Sequence, residues 1–226
     1  MSKNNSKTQF DHSTGFLIAS HHVSIRGLKF LGNPNPKVAY YYPISKEDPS
    51  LRDLEVSQCY FIGDKEAAKI QGGVWAHGPQ NTVSHCIFYT CRNAVLFFNN
   101  VRDFRIEYSI FYGAYESAFW LGGEDVPFTF SHNIISHNTR FLVMPKDASY
   151  SSPFSTSVIA NNEGFVGYVS SEEQKVLELA DPTIELNKVS RLGKVRLQTN
   201  KAVILDKLHL HLTKDSEGVE LGAGIF

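Results

Sequence analysis

Three eight-residue runs in the middle of the chain share one order of apolar and polar positions: 81–88, 104–111 and 128–135. Each reads apolar or small, polar, apolar, polar, any, small polar, apolar, apolar. They begin at Asn81, Phe104 and Phe128, 23 and then 24 residues apart. Self-similarity at a fixed period predicts a repeat architecture. The pattern extends upstream to Leu54–Phe61 and Val23–Phe30 and, more loosely, downstream to Ser152–Ile159. That makes six copies, with the wider upstream spacings read as loops inserted between repeats.

A second strand-like run follows the first in each repeat: Ala68–Gln71, Val95–Phe98, Phe119–Gly122, Phe141–Met144 and Phe165–Tyr168. Two or three short strands per period of about 24, with no helical pattern between them, describe one coil of a parallel β-helix. Six coils stacked at about 4.8 Å make a rod roughly 25–30 Å long. The repeat columns predict the interior. Ile25, Val56, Val83, Ile106, Phe130 and Phe154 form one column. Phe30, Phe61, Phe88, Phe111, Ile135 and Ile159 form another. Between them runs a small, mostly polar column, Leu28, Cys59, Cys86, Ser109, Asn133 and Ser157. This suits a bend where side chains satisfy buried backbone groups.

The run Thr82–Phe97, with its x-V-S-x-C-x-F and x-A-V-x-F segments, resembles the coil of the right-handed parallel β-helix, or pectin-lyase-like, superfamily. The resemblance covers about residues 15–169, and the Gly-rich end, Glu220–Gly224, loosely resembles the closing segment of bacterial members. It implies an all-β, right-handed parallel β-helix of about six coils with a non-repeating C-terminal covering segment. The divisions are 1–14, a loose N-terminus; 15–169, the β-helix; and 170–226, the cover. The resemblance further implies a carbohydrate-active bacterial protein. The family holds polysaccharide lyases and glycoside hydrolases, alongside epimerases, tailspikes and adhesins. A first coil that starts without an N-terminal cap leads to the expectation of a C-terminal portion of a longer protein.

Composition narrows the partners. Lys and Arg number 22 against 23 Asp and Glu, for a net charge of −1. Bulk charge therefore points to neither nucleic acid nor an anionic bilayer. No apolar run approaches the ~20 residues of a membrane helix. The polar stretch 1–8 shows no secretory signal, so an extracellular or periplasmic location is the expectation only for a fragment of a secreted protein. Of three cysteines, Cys59 and Cys86 share a column, as buried thiols or as a disulfide; Cys91 is read as a turn residue. His209 and His211 alternate on one strand but lack a third partner, so no metal ligand is assigned.

In a solenoid, equivalent turns stack, so residues far apart in sequence become neighbours. One such column of turns carries Trp75 and His77, then Arg102 and Asp103, then Glu124 and Asp125, then Lys146 and Asp147. An aromatic platform beside carboxylates suits sugar chemistry: the ring face stacks on Trp, and paired carboxylates serve as acid and base or nucleophile. A lyase instead needs a base beside a uronate, with a cation or Ca²⁺ neutralising the carboxylate. Glu124, Asp125, His77 and Lys146 are the catalytic candidates. Trp75, Arg102, Asp103, Asp147, Tyr115 and Arg140 are the candidates for binding substrate. Solvated turn residues explain the same composition. The expected partner is a polysaccharide or oligosaccharide, acted on or merely bound. Alternation along the second strands sends Leu96, Phe98, Trp120, Leu142, Met144, Val166 and Tyr168 outward, with Val95, Phe97, Phe119, Leu121, Phe141 and Val143 inside. Such an apolar face needs a cover: residues 175–212 folded back along it, or a subunit interface, so the chain is a monomer or a dimer through this face.

Overall fold

The computed structural model describes residues 10–122, 128–145, 154–169, 176–178, 193–199 and 208–225. The chain winds as a parallel β-helix with three strands to a coil. The first coil holds β1 (Phe10–Leu17), β2 (Val23–Arg26) and β3 (Lys29–Leu31); the second β4 (Val38–Lys46), β5 (Leu54–Ser57) and β6 (Tyr60–Ile62). The third holds β7 (Gly72–Ala76), β8 (Asn81–Ser84) and β9 (Ile87–Tyr89); the fourth β10 (Asn93–Phe97), β11 (Phe104–Glu107) and β12 (Ile110–Tyr112). The fifth holds β13 (Ser117–Leu121), β14 (Phe128–Ser131) and β15 (Ile134–Ser136); the sixth β16 (Arg140–Pro145), β17 (Phe154–Ser155) and β18 (Val158–Ala160). β19 (Gly164–Val169) and β20 (Val176–Glu178) follow. The first strand of every coil joins one eight-stranded sheet with β19 and β20, and the second and third strands build two six-stranded sheets. Among the described strands every pairing is parallel except that of β19 with β20.

The apolar columns meet in register as the repeat predicts. Phe30, Phe61, Phe88, Phe111, Ile135 and Ile159 pair in sequence across the third sheet. The first four rings stack at 5.0, 4.5 and 4.9 Å, nearly parallel. The small polar column satisfies the bend: Cys86 N–H donates to Ser109 Oγ, Ser109 N–H to Asn133 Oδ1, and Asn133 N–H to Ser157 Oγ, each near 3 Å. A second ladder runs through Asn138 and Asn162 at the next corner. Single residues with positive φ turn the chain at the corners, Gln58, His85, Tyr108, His132 and Thr156 at one of them.

Four local expectations are corrected. β1 begins at Phe10, inside the stretch read as loose. The first strand of the third coil is Gly72–Ala76, in a stretch read as the turn carrying Trp75; Ala68–Gln71 is not a strand. The glycines answer to packing. A Cβ on Gly73 would lie 2.6 Å from the Phe88 ring, and one on Gly72 would lie 2.1 Å from Leu96 Cδ1. The third correction is one of phase. Phe119 pairs with Leu142 and Trp120 with Val143, so Leu142, Met144 and Val166 belong to the core, and Val143 continues the outward column. The cause is one extra residue between β12 and β13: Arg92 O accepts from both Glu116 N–H and Ser117 N–H, at 3.0 and 3.2 Å. Carried from β13 at the 24-residue spacing that relates Ile110 to Ile134, the alternation arrives at β16 one residue out of phase.

The fourth concerns the described part of the cover, residues 176–178, 193–199 and 208–225. Val195, Leu210, Leu212 and Ala223 pack on Ile87, Ile110, Ile134 and Val158, the outward column of the third sheet. They do not lie along the outer face of the first sheet, and the strand at 176–178 adds to that sheet's end, antiparallel to β19. The third sheet offers four successive outward aliphatic residues, a drier surface than the mixed face of the first. The stretch Ala202–Leu205, expected to help, lies outside the described residues.

Candidate functional site

The outer face of the first sheet collects the most varied side chains. Val74, Val95, Phe119 and Leu142 turn into the core. Their neighbours Trp75, Leu96, Trp120 and Val143 therefore turn out, paired strand to strand. Trp75 and Trp120 are both half-buried and flank Leu96. Two coil steps separate them, about 10 Å. The Tyr42 ring packs on Trp75 at 4.8 Å, and the His77 ring meets it edge-on at 5.5 Å. Gly72 leaves Tyr42 and Leu96 room to approach.

One end of this face is closed by buried polar groups. His77 Nδ1 accepts the Asn99 N–H at 2.9 Å. Neutral His77 therefore carries its proton on Nε2, as a donor. Burial holds its pKa below the usual imidazole value, with Glu47 opposing and Lys46 reinforcing that shift. Lys46 lies behind this face: it pairs with Ala76, in register with Phe97, and turns into the coil, fully buried. Its ammonium donates to Leu51 O at 2.9 Å and to Asn81 Oδ1 at 2.5 Å, and Asn81 Nδ2 donates to Gly78 O at 2.7 Å. Burial pushes the Lys46 pKa down to about 8, against a weaker upward pull from Asp53.

The other end is a polar network. Arg92 donates to Gln71 Oε1 at 3.1 Å and to Glu116 Oε1 at 2.9 Å. Asn93 Nδ2 donates to Glu116 Oε2 at 2.7 Å, and Ser117 Oγ to Asn93 Oδ1 at 2.6 Å. Burial, with smaller contributions from neighbouring charges, pushes the Tyr115 phenol up to about 12. Lys65 lies over the Tyr115 ring at 5.8 Å.

The structure brings Trp75 and His77 together as the sequence implies. It places Arg102 and Asp103 elsewhere. The turn after His77 pairs with Asn99, while Arg102 O takes the Gln80 N–H. Arg102 and Asp103 thus belong to the exposed corner leading into the second sheet, in line with Gln80 and Asp53. Tyr115 and Arg140 sit at the opposite corner, at the start of the first-sheet strands. Glu124, Asp125, Lys146 and Asp147 lie outside the described residues, and with them the expected closeness of Trp75 to Glu124. Tyr42, Lys46, Gln71 and Asn93 were not among the site residues expected from sequence. The signal for Trp120 was present: it stands in phase with Trp75 through Leu96. Among the described residues no group of three or more His, Cys, Asp or Glu is placed to hold a metal ion.

Comparison with known families matches residues 2–188 to the one described as "Right handed beta helix region". No curated protein and no solved structure matches the chain.

Proposed function

We propose a carbohydrate-binding function from one premise: the chain belongs to the right-handed β-helix family. In this reading an oligosaccharide segment of a polysaccharide lies across the coils on the outer face of the first sheet. The observation that carries it is the pair of half-buried indoles, Trp75 and Trp120, in one outward column on either side of Leu96. A separation of about 10 Å suits two sugar rings of one chain, each with an apolar face on an indole. His77 Nε2–H and the Arg92–Glu116–Gln71 network supply hydrogen bonds to hydroxyl groups at the two ends. Binding is favoured over catalysis at the described positions for a chemical reason. Glu116 is engaged by Arg92 and Asn93, and His77 offers a donor rather than a base. Lyase or hydrolase chemistry, with Ca²⁺ in the lyase case, would fall to Glu124, Asp125, Lys146 and Asp147.

The test is a panel of neutral and acidic polysaccharides, with binding followed by titration calorimetry and products by reducing ends and unsaturated-uronate absorbance. Trp75→Ala is expected to weaken binding at least about tenfold. Unchanged affinity in Trp75→Ala and Trp120→Ala would remove this face from consideration. Product formation would shift the reading from binding module to enzyme.

A further inference from the structure

Cys59 and Cys86 occupy one position in successive coils. Each precedes the third-sheet strand of its coil, and the residues that follow them, Tyr60 and Ile87, pair directly. Ile87 N–H also donates to Cys59 O at 2.9 Å. Equivalent backbone positions in stacked coils are about 4.8 Å apart, inside the roughly 4.4–6.8 Å range of Cα separations in disulfides. Both side chains turn inward and are fully buried. Each thiol leans back towards the preceding coil, Cys59 Sγ to Ile25 O at 3.7 Å and Cys86 Sγ to Val56 O at 3.6 Å, so the Cys86 thiol is directed at the coil that carries Cys59. Each also points at a carbonyl two residues back, Cys59 Sγ to Ser57 O and Cys86 Sγ to Ser84 O, both at 3.2 Å. Farther along the same column Ser109, Asn133 and Ser157 bond each other's backbone; at Cys59 and Cys86 the column holds two thiols in adjacent coils.

We propose that Cys59 and Cys86 are a redox pair whose oxidation to an intramolecular disulfide staples the second coil to the third. The chemistry needs a two-electron oxidant, and a small disulfide such as oxidised glutathione supplies it. The Cys59 thiolate attacks one glutathione sulfur, forming a mixed disulfide and releasing one glutathione thiolate. Cys86 then gives up its proton and attacks Cys59 Sγ, releasing the second glutathione. Two protein thiols are oxidised and one glutathione disulfide is reduced to two thiols. The order of events follows from the surroundings. The polar surroundings of Cys59, the Cys86 thiol foremost, hold its pKa below the usual thiol value, whereas burial raises that of Cys86. Cys91 stays out of the pair: its thiol faces Phe61 O at 3.6 Å, at the corner into the first sheet. The stapled coils also carry β4 and β7, hence the Tyr42–Trp75 contact.

The full chain is unfolded and refolded in a glutathione redox buffer, which removes the question of access to the buried thiols, then mapped by alkylation and peptide mass. The expected result is loss of two hydrogens, a Cys59–Cys86 cross-linked peptide, one alkylatable thiol at Cys91, and a thermal midpoint raised by about 5 °C or more. Cys91→Ala should behave the same; Cys59→Ser and Cys86→Ser should lose no hydrogens. Retention of three alkylatable thiols, pairing through Cys91, disulfide-linked dimers, or a midpoint that does not rise on oxidation would each overturn the proposal.

Discussion

Lys46 is the residue whose burial asks most of its neighbours. An ammonium withdrawn from water costs several kcal/mol unless acceptors replace the solvent, and here Leu51 O and Asn81 Oδ1 do so. The sign of its pH dependence follows. The folded value is about 8, below the unfolded value near 10.4. Between those values the unfolded chain binds more protons, so raising the pH favours the fold. Below about pH 8 the penalty of the buried charge is present in full; it is relieved as the pH climbs towards 10.4. Denaturant unfolding at pH 7.5 and pH 9.5 should show a gain on the order of 1–2 kcal/mol in the wild type, and that gain should vanish in Lys46→Met. An equal gain in the variant would assign the effect to other groups. Phe111 poses the opposite case, a fully buried ring between Phe88 and Phe119. Phe111→Ala should cost about 3–5 kcal/mol in the same assay, and a cost below about 1 kcal/mol would contradict the stacked core.

At the scale of single strands, β7 shows what the sequence displays and what it hides. The second and third sheets were legible because every coil repeats the same eight positions, and the register of Phe61, Phe88 and Phe111 follows the predicted column. β7 was not. Two glycines in a row read as a turn, yet Gly73 is glycine because Phe88 and Ala94 O occupy the space a Cβ would need. That requirement exists only once the coils are stacked. Gly73→Ala should therefore destabilise by about 1–3 kcal/mol through overpacking. It should also perturb the near-ultraviolet dichroism of Trp75, two residues along; a neutral substitution would mean that β7 packs more loosely than described. The candidate site divided the same way. Trp75 and His77 announced themselves as unusual residues in a polar stretch. Lys46 did not, because its burial depends on Asn81, 35 residues away, and no local pattern marks a lysine as interior. The added residue before β13 shifted the alternation invisibly, since Leu142 and Val143 are equally apolar.

The molecule as a whole combines a one-dimensional stack with one element that runs along it. Within the stack each first-sheet strand pairs only with its neighbours on either side. The C-terminal segment breaks that rule. His211 reaches Tyr60 in the second coil with Nε2 2.9 Å from the phenol, Gly224 N–H bonds His132 O in the fifth, and Asn161 Nδ2 bonds Gly193 O after the sixth. Ending the chain after Val169 should uncover Ile87, Ile110, Ile134 and Val158. The shortened protein is expected to bind a hydrophobic dye and to melt at lower temperature; unchanged melting and no dye binding would deny the segment this role. A further consequence concerns how the protein comes apart. Stacks held only by nearest-neighbour contacts fray from their ends, and their transitions broaden. A brace fastened to the second, fifth and sixth coils makes the loss of any one felt by the others. The intact chain should then melt in one sharp, all-or-none step, with calorimetric and van't Hoff enthalpies equal, and the unbraced stack should peel coil by coil.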